Sequence, residues 1–79
     1  MARKVDGREV DFVVTERRMP VMLVECKWAD DEVNSALRYL KKKFPGAAAW
    51  QVHAQGKKDY QTPEGIRVGS ALNLLRDLV

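Results

Sequence analysis

The sequence predicts an α/β fold made of an antiparallel β-meander, a helix crossover to a further strand, and a short C-terminal helix. Three observations predict it. Two extended apolar runs, 9–14 and 21–28, flank a polar turn. An apolar stripe at helical spacing follows and stops at Pro45-Gly46, and a strand-like segment comes directly after that stop.

Asp6-Gly7 is a hairpin signal between short extended segments, because the favoured two-residue turn needs residues that tolerate positive φ. Glu9-Val10-Asp11-Phe12-Val13-Val14 is rich in β-branched and aromatic side chains and reads as one strand. Thr15 to Met19, ending at Pro20, is a polar turn. Val21-Met22-Leu23-Val24-Glu25-Cys26-Lys27-Trp28 is the partner strand, and its more continuous apolar character marks it as central. Asp30, Asp31 and Glu32 then supply acceptors and negative charge for the start of a helix. Val33, Ala36, Leu37, Leu40 and Phe44 form its apolar stripe, with Lys41 to Lys43 at the negative end of its dipole.

Ala47 to Ala54 fits helix or strand by composition, but Trp50-Gln51-Val52 and the preceding helix stop favour a strand. Gln55 to Gly65 is a polar loop. Gly69 or Ser70 caps a closing helix whose apolar face is Ala71, Leu72, Leu74, Leu75 and Leu78. The order is β-β-β-α-β-α. A helix between two strands of one sheet is a crossover, so part of the sheet is expected to be parallel.

Seventy-nine residues make one domain, 1–79. A domain of this size buries only about 60% of its unfolded surface. Pairing with a second copy is a common remedy, so a homodimer is expected. The composition, 46% hydrophobic and 32% charged, is that of a globular chain. One cysteine, Cys26, and one histidine, His53, rule out an internal disulfide and a Cys/His zinc site. The amino-terminal stretch lacks the apolar core of a signal peptide, and no apolar run approaches the roughly 20 residues needed to cross a bilayer. A soluble, cytoplasmic protein without a membrane partner is the expectation. The net charge of +3 is compatible with a polyanionic partner.

The chemistry lies in the first strand pair. With period-two alternation, Val21, Leu23, Glu25 and Lys27 share one face, and Glu9, Asp11 and Val13 share another. If these faces coincide, the apolar ends pack under the helix and the acidic ends meet beside Lys27. Charges at the end of the most apolar strand are costly unless paired or bound to a metal. The plain alternative is a strand end emerging into solvent. Two carboxylates suit Mg²⁺ or Mn²⁺, which keep several waters. Such a site, with an adjacent ammonium, suits phosphodiester cleavage. Cys26 points the other way and its thiol is expected to be buried. Its backbone carbonyl faces the edge of the site as a candidate further metal ligand.

These residues resemble the PD-(D/E)XK nuclease superfamily, in which an Asp on one strand and an (Asp/Glu)-x-Lys on the next form the metal site. Asp11, Glu25 and Lys27 occupy that pattern. The stretches Asp6-Gly7-Arg8-Glu9-Val10-Asp11-Phe12, Ser35-Ala36-Leu37-Arg38-Tyr39, Trp50-Gln51-Val52 and Lys58-Asp59-Tyr60 are similar to the nuclease-like domain at the C-terminal end of certain prokaryotic AAA-type ATPases. The resemblance implies a minimal restriction-endonuclease-like core, a Mg²⁺- or Mn²⁺-dependent endodeoxyribonuclease, and DNA as partner. It also implies an ATPase as a separate chain or as the rest of a longer one, since no glycine-rich phosphate loop occurs here. The superfamily core usually begins with a helix carrying an extra acidic ligand, and this chain starts at the strand. Glu9 is the candidate replacement; a second copy filling the gap, or loss of activity, are the alternatives. A catalytically silent module that binds nucleic acid or protein is the competing reading.

Other residues carry weaker signals. Arg38 and Lys41 are candidate phosphate contacts, against a solvated helix face, and Gln51 is a candidate to reach the site from the next strand. Tyr39 and Tyr60 are expected to pack on the sheet, and Trp28 and Trp50 to serve as core or dimer contacts. His53 is expected as a satisfied strand-end histidine rather than a base, and Ser35 and Ser70 as helix caps.

Overall fold

The computed structural model describes residues 3–78; Met1 and Ala2 of the amino-terminal stretch, and Val79, lie outside the described residues. The chain forms β1 (Arg3–Val5), β2 (Arg8–Val10), β3 (Phe12–Glu16), β4 (Met19–Lys27), α1 (Ser35–Lys43), β5 (Ala48–His53), β6 (Tyr60–Gln61), β7 (Ile66–Ser70) and α2 (Ala71–Asp77). The architecture is mixed α/β, as the sequence predicts. No helix among the described residues is long and apolar enough to cross a membrane.

Asp6 and Gly7 turn the β1–β2 hairpin with φ of 50° and 76°. The run 9–14 is not one strand. It breaks at Asp11: β2 pairs with β1, and β3 pairs with β4 in a separate five-stranded sheet. The break has a local cause, because Asp11 exchanges side-chain rather than ladder hydrogen bonds with β4. Pro20 falls inside β4 opposite Thr15, next to the register shift between Val14 and Thr15, a position where a missing N–H is tolerated.

The five-stranded sheet runs β3-β4-β5-β7-β6. β4, β5 and β7 are parallel, as the crossover requires, and the two edges are antiparallel. The loop expected over 55–65 contains the two-residue β6, and Ile66–Ser70 forms a strand that the periodicity of so short a segment does not announce.

Two apolar clusters sandwich the sheet. On the α1 side Val10, Leu23, Leu37, Leu40, Ala49, Ile66 and Val68 are buried together. Leu23, Leu37 and Leu40 are fully buried, and truncating any of them to alanine costs about 2–5 kcal/mol. On the other side Val24, Trp50 and Val52 pack with Met22 and Leu74 of α2. This second face is only partly covered. Phe12, Val14 and Trp28 stay exposed beside it, so Trp28 is not a core residue, and Leu72, Leu75 and Leu78 are exposed on α2. Cys26 is likewise exposed rather than buried, because α2 packs over β5 and β7 instead of the end of β4.

Candidate active site

The site forms where the parallel strands β4 and β5 end, the edge at which open α/β sheets place ligands. Leu23 enters the α1-side core, so Glu25 and Lys27 follow on the same face as the strand leaves that core. Gln51 and His53 stand opposite them on β5 in register.

Asp11 meets Glu25. The Asp11 amide donates to Glu25 Oε1 at 3.2 Å, and Asp11 Oδ2 accepts the Cys26 amide at 2.8 Å. This reciprocal exchange locks the bend between β2 and β3 to β4. A residue's N–H and C=O point to the same side of a strand, so the Cys26 carbonyl faces Asp11's edge too. Lys27 Nζ lies 3.9 Å from Glu25 Oε2 and 3.9 Å from Asp31 Oδ2. Asp11, Glu25 and Lys27 thus share one corner of the sheet. Glu9 does not join them. It is exposed on the β1–β2 hairpin, paired in register with Lys4, and among the described residues no third Asp, Glu, His or Cys completes a group that would hold a metal ion.

The residue that the sequence reading missed is Asn34. It is the N-cap of α1: its Oδ1 accepts the Ala36 and Leu37 amides at 2.8 and 3.1 Å, while its Nδ2 donates to Glu25 Oε2 at 3.1 Å. One side chain therefore starts the helix and fixes a carboxylate. The signal was present, since Asn is a preferred cap, but the acidic run before it drew the helix start too early. Ser35 is the first helical residue and not the cap; Ser70 does cap α2, accepting the Asn73 amide.

Gln51 is 2% exposed and fully engaged. It accepts the Asn34 amide at 2.8 Å and donates to the Glu32 carbonyl at 3.0 Å. It holds the crossover loop that carries Asn34 rather than facing outward. Lys41 is spent on the Pro45 and Ala47 carbonyls and Arg38 pairs with Glu64. These two line a cavity of about 570 Å³ with Tyr39, Lys42, Pro45 and Glu64, away from Asp11 and Glu25. Tyr39 donates to Asp6 under the Arg8 guanidinium instead of packing on the sheet, and Tyr60 is exposed. Trp50 is core.

His53 is buried, with Nε2 2.7 Å from the Lys58 carbonyl, so Nε2 carries the proton. Its Nδ1 is buried without a partner. That leaves no proton acceptor facing solvent.

The electrostatics single out Glu25. Burial pushes its carboxyl above the usual range, and the neighbouring Asp11 charge pushes it further; the Asp11 amide and Lys27 only partly offset this. A carboxylate pair has about eight lone-pair positions, of which hydrogen bonds take few. Two hard oxygen donors, crowded and under-compensated, fit a divalent cation that keeps most of its waters.

Fold and site together define a small mixed α/β domain with a two-carboxylate-and-lysine corner at the end of its parallel strands. The chain belongs to the family described as "Domain of unknown function (DUF4143)", whose model matches residues 2–74. No curated protein and no solved structure matches it.

Proposed function

We propose that the domain is a metal-dependent nuclease of the PD-(D/E)XK kind, hydrolysing phosphodiester bonds in DNA. The observation that carries this reading is the meeting of Asp11, Glu25 and Lys27 at one strand end, with Glu25 held protonation-prone by burial and by Asp11. Asp11 and Glu25 are the residues that would hold Mg²⁺ or Mn²⁺, with the Cys26 carbonyl as a further donor. When bound, the ion supplies Lewis acidity to a phosphoryl oxygen and charge compensation for the leaving oxygen. Lys27 does two things. Its ammonium stays beside Glu25 and Asp31, so it is positioned without a substrate. Beside the two carboxylates it would also offset negative charge growing on the phosphoryl oxygens of a bound substrate, as a preorganised cation does in a transition state. Asn34 keeps Glu25 Oε2 in place throughout.

A second reading has its own support. Only two carboxylates meet among the described residues, which suits a silent nuclease-like module that binds without cutting. Incubating supercoiled DNA with the protein and Mg²⁺ or Mn²⁺ separates the two. Nicking by the wild type that disappears in Glu25→Gln supports the nuclease; DNA binding without nicking under any of these conditions contradicts it.

For the partner we propose a second copy of this chain, supported by the exposed apolar residues Phe12, Val14, Leu72, Leu75 and Leu78. A solution mass of twice 9.0 kDa is expected, and a mass of 9.0 kDa contradicts the dimer.

A further inference from the structure

The protein contains two hairpin turns of the same geometry filled in opposite ways. The first, between β1 and β2, places Asp6 and Gly7 at φ of 50° and 76°. Asp-Gly is a residue pair this turn favours, since both central positions need φ > 0. The second, between β3 and β4, places Arg17 and Arg18 at φ of 52° and 68°. Arginine has no local reason to sit there. The left-handed region crowds the Cβ of an L-residue, at a cost that Asn, Asp or Gly largely avoid.

Strain of this kind persists where the side chains do something that the turn does not need. What these two could do is narrowed by their surroundings. Both are exposed. Neither pairs with a carboxylate among the described residues, whereas Arg38 pairs with Glu64, Arg67 with Asp59, and Arg8 lies over the Tyr39 ring. A tight two-residue turn projects adjacent guanidinium groups from a rigid β-ribbon. Guanidinium is the side chain best shaped to take phosphate oxygens in a fork.

We infer that the Arg17–Arg18 tip is a contact for a phosphodiester backbone, resting on the reading that DNA is the substrate. Arg18 precedes Glu25 by seven residues of the sequence, nearly all within β4. Extended chain of that length spans roughly 20 Å. A duplex laid along β4, at 3.4 Å per nucleotide along one strand, would meet the tip about six base pairs from the carboxylate corner. It positions the duplex and takes no part in bond cleavage.

The test exploits the conflict between turn and ligand. Arg17→Asn with Arg18→Gly installs a pair the turn favours and removes both charges. Binding to a 20-base-pair duplex is measured in EDTA, across a salt series, so that cleavage plays no part; chemical denaturation is measured alongside. The expected result is a higher denaturation midpoint together with weaker binding, the slope of log affinity against log salt falling by about two. Arg17→Lys with Arg18→Lys keeps the charge and is expected to keep the salt slope while losing part of the affinity, because the forked contact is gone. An Asn-Gly variant that binds like wild type overturns the inference, while nicking by that variant leaves the nuclease reading standing. A wild type that binds no duplex at low salt also overturns the inference, and the nicking assay then judges the nuclease reading separately.

Discussion

Glu25 and Asp30 lie five residues apart at the same end of β4, and the protein treats their charges in opposite ways. Asp30 accepts the Lys57 and Lys58 amides at 3.0 Å, and those hydrogen bonds hold its carboxyl below the usual range. Glu25 accepts one amide and the Asn34 side chain, but burial and the Asp11 charge outweigh them and its carboxyl rises. A saturated carboxylate is a structural clamp: Asp30 ties the 56–58 loop to the end of β4. An under-compensated one, next to a second carboxylate, is a place where a cation lowers the free energy. On the proposed reading, the under-compensated acid is the one that serves the chemistry and the saturated one serves the fold.

The contrast is sharpest in activity. Lys27→Ala is expected to lower the nicking rate by about 100- to 1000-fold, measured on supercoiled DNA. Asp30→Ala, compared per folded molecule, is expected to leave that rate within a few-fold; equal losses in both variants break the distinction.

Next in size is the clamp itself. A Cβ on Gly56 would run into Asp30 Oδ1 and come within 2.6 Å of His53 Cγ. Gly56→Ala is therefore expected to destabilise the fold by about 1–3 kcal/mol in a denaturant titration, without changing Mn²⁺ affinity.

The pH dependence of stability has opposite signs at the two acids. Asp30, with a lowered folded pKa, stabilises above its unfolded value near 3.8 and loses that contribution as pH falls through the folded value. Glu25, with a raised folded pKa, favours the fold below its unfolded value near 4.5 and loses that favour as pH rises through the folded value. Between pH 4 and pH 7 in metal-free buffer, Glu25→Gln is thus expected to gain on wild type, whereas Asp30→Asn runs at a nearly constant deficit there and closes on wild type only as pH falls below about 4. Parallel curves for the two variants contradict the comparison.

The smallest effect is expected at Asn34. Asn34→Asp keeps a good helix cap but turns a donor 3.1 Å from Glu25 Oε2 into a third carboxylate. Metal-free melting temperature should fall by a few degrees, and Mn²⁺ should restore it more strongly than in wild type.

Much of this was legible in the residues. Strand alternation put Glu25 and Lys27 on one face, Pro45-Gly46 ended the helix, and the crossover required parallel pairing of β4 and β5. Less legible were features decided by tertiary contact. Asp11 breaks a run whose composition reads as continuous strand, because its hydrogen bonds go to residues fourteen and fifteen positions away. Cys26 is exposed because α2 is too short and too far across the sheet to cover it, which no local pattern encodes. Gln51 reads as a candidate to reach the site or as a core-edge amide until the crossover loop folds back over it. Ile66–Ser70 is a strand by virtue of its neighbour β5, not of its own periodicity.

Calorimetric titration with Mn²⁺ reaches the central question without requiring catalysis. Wild type is expected to bind saturably at low millimolar metal or below, Asp30→Ala to bind the same way, and Asp11→Ala to lose the heat of binding. No saturable binding by wild type, or an Asp11→Ala titration that overlays it, contradicts a cation site built from Asp11 and Glu25.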